Sequence, residues 1–205
     1  MAQRTTGIYS LLSSARLYQR LQDFLARPSS REAFARDYVR AKVGDRVLDI
    51  GCGTAHVLET LPDVQYFGFD PNEKYIARAR ERFGQRGSFW ADRVDQATLA
   101  RVPPCDLVLA IGVLHHLDDD EAARLFTLAH AALRAGGRLV TWDPGYTDDQ
   151  SRLARLLIGL DRGRSVRRPE GYQALAARAF PQVRVSVRHD MLSIPWTHII
   201  LECER

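Results

Sequence analysis

Between Arg46 and Glu204, short β-rich runs alternate with stretches of helical spacing, and that alternation leaves few folds open. The runs are RVLDI (46–50), QYFGFD (65–70), GSFWAD (87–92), DLVLAIGVL (106–114) and GRLVTWD (137–143). Helical patterns fill the gaps near 55–61, 73–83, 95–101 and 119–134, and Gly136-Gly137 reads as a helix stop ahead of the fifth run. Strands joined through helices make right-handed parallel βαβ units, so the expected fold is α/β, a doubly wound, mostly parallel sheet. The last two runs, VRVSVRHD (183–190) and THIILECE (197–204), lie too close together for a helical crossover. They are expected to pair antiparallel and close one edge.

Ahead of the alternation, Leu11, Leu12, Ala15, Leu17, Tyr18, Leu21, Phe24 and Leu25 suit an amphipathic helix, and Pro28 opens a second helical stretch through Val39. Residues 1–43 are expected to form an N-terminal helical lid over a main domain, 44–205. Within that domain the long connection 143–183 carries two helical pieces, near 150–160 and 169–180. Ligands of open α/β sheets sit outside the carboxyl ends of the strands, so this insertion is an expected wall of a substrate pocket.

At 205 residues, 45% hydrophobic and 26% charged, the chain has the composition of one soluble globular domain. Its longest apolar run, Leu107 to Leu114, is too short for a bilayer, and MAQRTTGIYS lacks a signal-peptide core. Cys52, Cys105 and Cys203 are odd in number and widely spaced, which suggests neither a disulfide frame nor a zinc site. The expected location is cytoplasmic, with no membrane partner. A net charge of +4 favours an acidic partner such as nucleic acid. Only Lys42 and Lys74 are lysines, however, so the arginine excess also reads as codon composition. One local concentration stands out: Arg152, Arg155, Arg162, Arg164, Arg167 and Arg168 face only Asp161 and Glu170.

RVLDIGCGTA (46–55) looks like a nucleotide loop, yet His56 replaces the third glycine of the dinucleotide fingerprint. Asp49 precedes the glycines, where it would repel a pyrophosphate and suit a cation. Asp70 follows about 20 residues later, as a ribose-hydroxyl acceptor should. Asp92 ends the third run, placed for an adenine amino group. Three carboxylates at successive strand ends describe a ligand with adenine, ribose and a cationic amino-acid tail: S-adenosylmethionine (SAM).

Over Gly44 to Asp143 this ordered set resembles the class I, Rossmann-like SAM-dependent methyltransferases, in their ubiquinone/menaquinone-biosynthesis-like small-molecule branch. The resemblance implies a seven-stranded sheet in the order 3-2-1-4-5-7-6, the last strand antiparallel, and S-adenosylhomocysteine (SAH) as product. It implies that VLDIGCGTA holds the methionine portion through Asp49, Gly51, Cys52 and Gly53. FGFDPN would take the ribose on Asp70, with Pro71 at the adenine. WADR would contribute Asp92 and Arg93, and CDLVLAIGVLHHL would line the methionine portion with Ile111 or Gly112. For Asp70 alone, a helix N-cap is the competing reading, since Pro71 and Glu73 follow.

In-line transfer from a sulfonium needs orientation and a dry pocket, and a base only if the acceptor must lose a proton. His115 and His116 close the fourth run, so one of them is the expected base or acceptor-orienting group, with a packing histidine as the alternative. Some ubiquinone-type O-methyltransferases carry Glu-x-x-Glu-His here and bind a divalent metal; GVLHH has neither glutamate, so no metal is expected. DPGY (143–146) invites comparison with the Asp/Asn-Pro-Pro-Tyr motif of amine and base methyltransferases, but that motif follows the fourth strand and this one the fifth. Trp142, Asp143 and Tyr146 remain candidates for the acceptor pocket, beside a polar-turn reading. Arg164 and Arg167 are candidates to fork onto an acidic acceptor, beside a solvated loop. Tyr9 is expected on the lid, and His189 and His198 are expected to be structural.

The leading expectation is a metal-independent enzyme methylating a small-molecule acceptor. An RNA or protein methyltransferase using Arg152–Arg168, and a non-catalytic SAM-binding protein, are the alternatives. No sequence feature bears on oligomeric state.

Overall fold

The structure, a computed structural model, describes residues 28–160 and 163–205; Tyr9 and the rest of the expected lid up to residue 27 lie outside the described residues. The β-rich runs form one sheet: β1 (Arg46–Ile50), β2 (Gln65–Phe69), β3 (Gly87–Trp90), β4 (Cys105–Ile111), β5 (Leu133–Pro144), β6 (Gln182–Arg188) and β7 (His198–Glu204). Their order is β3-β2-β1-β4-β5-β7-β6. β1 to β5 pair in parallel, and β7 lies antiparallel between β5 and β6.

The helices are α1 (Pro28–Phe34), α2 (Glu73–Phe83), α3 (Gln96–Leu99), α4 (Asp119–Ala132), α5 (Arg152–Gly159) and α6 (Pro169–Ala176). A π-helical turn, Ala35–Val39, continues α1. Asn72 caps α2 by accepting from the Lys74 and Tyr75 amides, and α2 buries Ile76, Ala79 and Phe83 along one stripe. Asp118 and Glu121 form a reciprocal capping box at the start of α4. Two cores result, one on each sheet face. Phe34, Leu58, Ile76 and Ile200 belong to the first, Phe126, Leu133, Tyr172 and Phe180 to the second.

Three local expectations are corrected. The helix near 55–61 is a single 3-10 turn, His56–Glu59. The third run ends at Trp90, so Asp92 sits in the bend beyond β3. Gly136-Gly137 lies inside β5, because β5 begins at Leu133 directly after α4. The chain end draws that stretch into the ladder: the Arg205 amide donates to Gly137 O at 3.0 Å, and its guanidinium to Leu133 O. Among the described residues no helix is long and apolar enough to cross a membrane.

Candidate active site

The carboxyl end of β1 holds a buried carboxylate. Register places Asp49 opposite Gly68 of β2, and the Tyr66 hydroxyl donates to Asp49 Oδ2. Glycine at 68 makes room for that reach, since a Cβ there would lie 3.0 Å from Tyr66 Cε1 and 2.9 Å from Cys52 Sγ. Asp49 Oδ1 has no hydrogen-bond partner. Burial pushes the Asp49 carboxyl up to about 7; the Tyr66 hydroxyl works against this and the Asp70 charge adds to it. Sequence reasoning missed Tyr66. The signal was present, a tyrosine two residues before a glycine on one strand face, but its partner depended on register.

After β1 the chain turns sharply. The Gly51 and Cys52 amides donate to Phe69 O at 2.8 and 3.0 Å, and the Gly53 amide donates to Asp70 Oδ2 at 3.1 Å. Asp70 Oδ1 accepts from the Asn72 amide at 2.8 Å. Asn72, not Asp70, is the cap of α2. Burial raises the Asp70 carboxyl above its ordinary range, opposed by those two amides. Burial also raises the Cys52 thiol, which keeps it protonated and inert. Pro71 and Arg93 are exposed. Asp92 accepts from the Arg93 amide at 2.9 Å and faces Arg101 at 3.5 Å.

Gly53 and Gly112 both take left-handed φ, +54 and +68. A Cβ on Gly53 would meet nothing within 4 Å, and one on Gly112 only His115 Cε1 at 3.9 Å. The chain is therefore open beside Gly53 and Gly112, whereas Gly51 is closed off by Val113, whose Cγ2 a Cβ there would meet at 2.6 Å. These groups fit a cofactor with a cationic tail and ribose hydroxyls.

On the other side of Gly112, the turn Leu114–His116 presents the two histidines. The His115 ring Nδ1 lies 2.7 Å from Asp143 Oδ1 at the end of β5, and the His115 amide donates to the same oxygen at 3.1 Å. Asp143 Oδ2 has no hydrogen-bond partner, and Asp143 is only 1% exposed. The His116 ring centroid is 3.9 Å from that of His115. Ile111 pairs with Trp142 across β4 and β5. The Trp142 indole packs on Phe34 of α1 at 4.4 Å and on the edge of His198 at 5.1 Å, and its Nε1 is buried with no hydrogen-bond partner.

The insertion docks onto this turn. The Ser165 amide donates to His115 O at 3.0 Å. Arg167 does not fork onto open space: it donates to Leu114 O at 3.0 Å, to Leu117 O at 2.8 Å, to Ser165 O at 2.9 Å and to Asp119 at 2.7 Å. Its guanidinium is consumed in holding the histidine turn. Arg164 is exposed and shares none of these bonds, and Tyr146 is half-buried with Arg155 5.8 Å from its ring. His189 bridges Thr197 and Asp149, and burial holds His198 neutral, its pKa lowered to about 3. Among the described residues no three His, Cys, Asp or Glu side chains are grouped to hold a metal.

A Rossmann-like sheet of this order, with acidic strand ends around an open glycine turn, defines a class I SAM-binding enzyme fold. Residues 48–139 match the family model described as "Methyltransferase domain". The chain is 33% identical over 196 residues to trans-aconitate 2-methyltransferase of Variovorax paradoxus, covering 87% of this chain and 72% of that protein. It is also 33% identical over 115 residues to ribosomal RNA large subunit methyltransferase G of Streptomyces avermitilis, covering 52% of this chain and 30% of that protein. The structure of phosphoethanolamine N-methyltransferase 2 of Haemonchus contortus, solved with phosphomonomethylethanolamine and SAH, shares the fold at TM-score 0.72 and 13% identity, over 96% of this chain and 58% of that one. The chain belongs to the SAM-dependent methyltransferases, and its cofactor is SAM.

Proposed function

We propose that this chain transfers the methyl group of SAM to a small molecule whose reacting atom lies beside the carboxyl ends of β4 and β5. The observation that carries the reading is Asp49: a buried carboxylate with one unfilled oxygen at the tip of the first strand, next to an open glycine turn. In this reading Asp49 faces the α-ammonium, and the backbone of Gly51, Cys52, Gly53, Ile111 and Gly112 lies along the methionine portion. Asp70 takes the ribose hydroxyls, with Pro71, Asp92 and Arg93 at the adenine. When bound, the cofactor supplies a methyl on a cationic sulfur, open to in-line displacement. The chain's own residues bind, orient and exclude water, which carries much of the acceleration for such a displacement. His115 takes a proton from the acceptor where one must leave, and His116, Trp142 and Tyr146 wall the pocket.

A small acceptor is supported by the trans-aconitate enzyme, of which this chain covers 72%. The inward use of Arg167 supports it too: its guanidinium is bonded to Leu114 O and Leu117 O and so is withdrawn from any phosphate footprint. The ribosomal RNA relative, matched over only 30% of its length, favours the nucleic-acid alternative. Titration calorimetry with SAM, SAH, NAD and ATP tests the reading. Binding of the first two alone is expected, and Asp70→Ala should weaken SAH binding by about 2 kcal/mol, roughly 30-fold, the scale of a charge-assisted hydrogen bond. Indifference to SAM and SAH with tight NAD binding overturns it. RNA binding that falls steeply with salt would favour the alternative acceptor.

A further inference from the structure

We propose that β6 is a self-complementary sheet edge: two copies of this chain pair antiparallel through Gln182–Arg188, about a twofold axis at Val185, and join their sheets into one. Neither SAM nor an acceptor enters this pairing.

A sheet edge presents amide and carbonyl groups that template pairing with another chain. Folded chains blunt such edges with short strands, lysine, proline or a bulge. The far edge of this sheet obeys: β3 has four residues and opens on Gly87. The β6 edge does not. It is seven residues long, QVRVSVR, pairs with β7 at every position without a bulge, and contains no proline, glycine or lysine. Among the described residues no strand pairs along its outer side. Its two arginines do not guard it as loose charges. Arg188 donates to both Asp190 oxygens at 2.7 and 2.8 Å and to the Tyr38 hydroxyl at 3.2 Å, and Arg184 lies 3.7 Å from Glu202.

The sequence of β6 selects its own copy as partner. Side chains alternate between the two faces, so Val183, Val185 and Val187 lie on the side of the second core. The first two pack against that core, whereas Val187 is left 39% exposed. Gln182, Arg184, Ser186 and Arg188 line the other face. A twofold axis perpendicular to the sheet sets residues of one face opposite each other. With the axis at Val185 all of β6 is paired: Val185 meets its copy and Val183 meets the partner's Val187. On the other face Arg184 meets the partner's Ser186, and Gln182 meets the partner's Arg188. The valine row then continues the one formed by Ile199, Leu201 and Cys203, their neighbours on β7. Adjacent registers fail. An axis at Ser186 sets Arg184 against the partner's Arg188, and an axis at Arg184 sets that residue against itself. Like charges directly opposed across strands are destabilising.

Sedimentation velocity of the full chain over a series of concentrations, with hydrogen exchange followed in parallel, tests the pairing. A reversible monomer–dimer equilibrium is expected. Amide exchange in 182–188 should slow as the dimer forms, while exchange in 87–90, on the opposite edge, stays the same. Each dimer contains the Ser186–Arg184 contact twice. Ser186→Glu should therefore tighten the dimer and Ser186→Arg loosen it, each by about fivefold, the scale of two opposed charge pairs on a sheet face. A chain that stays monomeric throughout overturns the proposal. So does a dimer whose 182–188 amides exchange as fast as in the monomer, since it uses another surface. Two Ser186 variants that shift the equilibrium in the same direction, or not at all, overturn the register and the self-complementarity with it. Should either variant fail to fold, the wild-type exchange pattern decides alone.

Discussion

The Tyr66 hydroxyl donates to the Asp49 carboxylate across β1 and β2, so the group proposed to meet the cofactor's cationic tail is held by a neutral donor rather than by a cation. Burial pushes the Asp49 carboxyl up to about 7. Only the ionised form attracts an ammonium. SAH affinity should therefore rise as pH increases through about 7 and level off above it, falling toward tenfold per unit below. Tyr66→Phe removes a donor that favours the ionised form, which should move this transition to higher pH. Calorimetry with SAH from pH 6 to 9 reads both. A flat profile in the wild type would show that Asp49 does not titrate in this window.

The same carboxylate costs the empty protein stability. Its native value is raised from 3.8 to about 7, so between these limits the folded state binds the proton more tightly than the unfolded chain. Stability from this group therefore declines as pH rises through that window, by an amount on the order of 4 kcal/mol at most. Asp49→Asn keeps an acceptor for Tyr66 and removes the buried charge. It should raise the thermal midpoint of the cofactor-free protein at pH 8 while abolishing measurable SAH binding. A lowered midpoint would mean that Asp49 is stabilising as an ion.

Much of this site was legible in the sequence because motif and position coincide. The strand ends carrying Asp49 and Asp70 follow from local patterning, since each apolar run breaks off into turn residues there, Gly51 after β1 and Pro71-Asn72 after β2. Asp92 was misplaced by two residues because GSFWAD continues the β-rich composition past the last paired residue, Trp90. The Tyr66–Asp49 and His115–Asp143 pairs were not legible. Each joins residues on different elements whose sequence separations, 17 and 28, carry no periodic signal. Arg167 stood as either an anion fork or part of a solvated loop because composition records charge; whether a guanidinium faces solvent or backbone carbonyls is settled by tertiary packing alone.

Arg167 gives a prediction of its own. Its planar fork reaches two backbone carbonyls, Leu114 O and Leu117 O, that flank the histidine turn, and Asp119 beyond it. Lysine carries the charge but has no fork to span these acceptors. Arg167→Lys should lower stability by about 2 kcal/mol, the cost of leaving buried acceptors unmet. Amide exchange should quicken around residues 114–117, while SAH affinity stays within a factor of three. Equal protection in the variant would remove Arg167 from the support of the turn.

His198 supplies the acid limb. Buried at the start of β7 against Trp142, it is held neutral, its pKa lowered from 6.5 to about 3. The unfolded chain takes up the proton below 6.5 and the folded one does not, so stability is complete above that pH and drains away as pH falls toward 3. At pH 5 the loss from this group is about 2 kcal/mol. His198→Phe keeps an aromatic ring against Trp142 and has nothing to protonate. Urea midpoints at pH 7.5 and pH 5 should therefore lie closer together in the variant by roughly that amount. An equal spacing in both proteins would mean that His198 is already charged in the folded state, and that Asp190, the acid whose field raises it, dominates over burial.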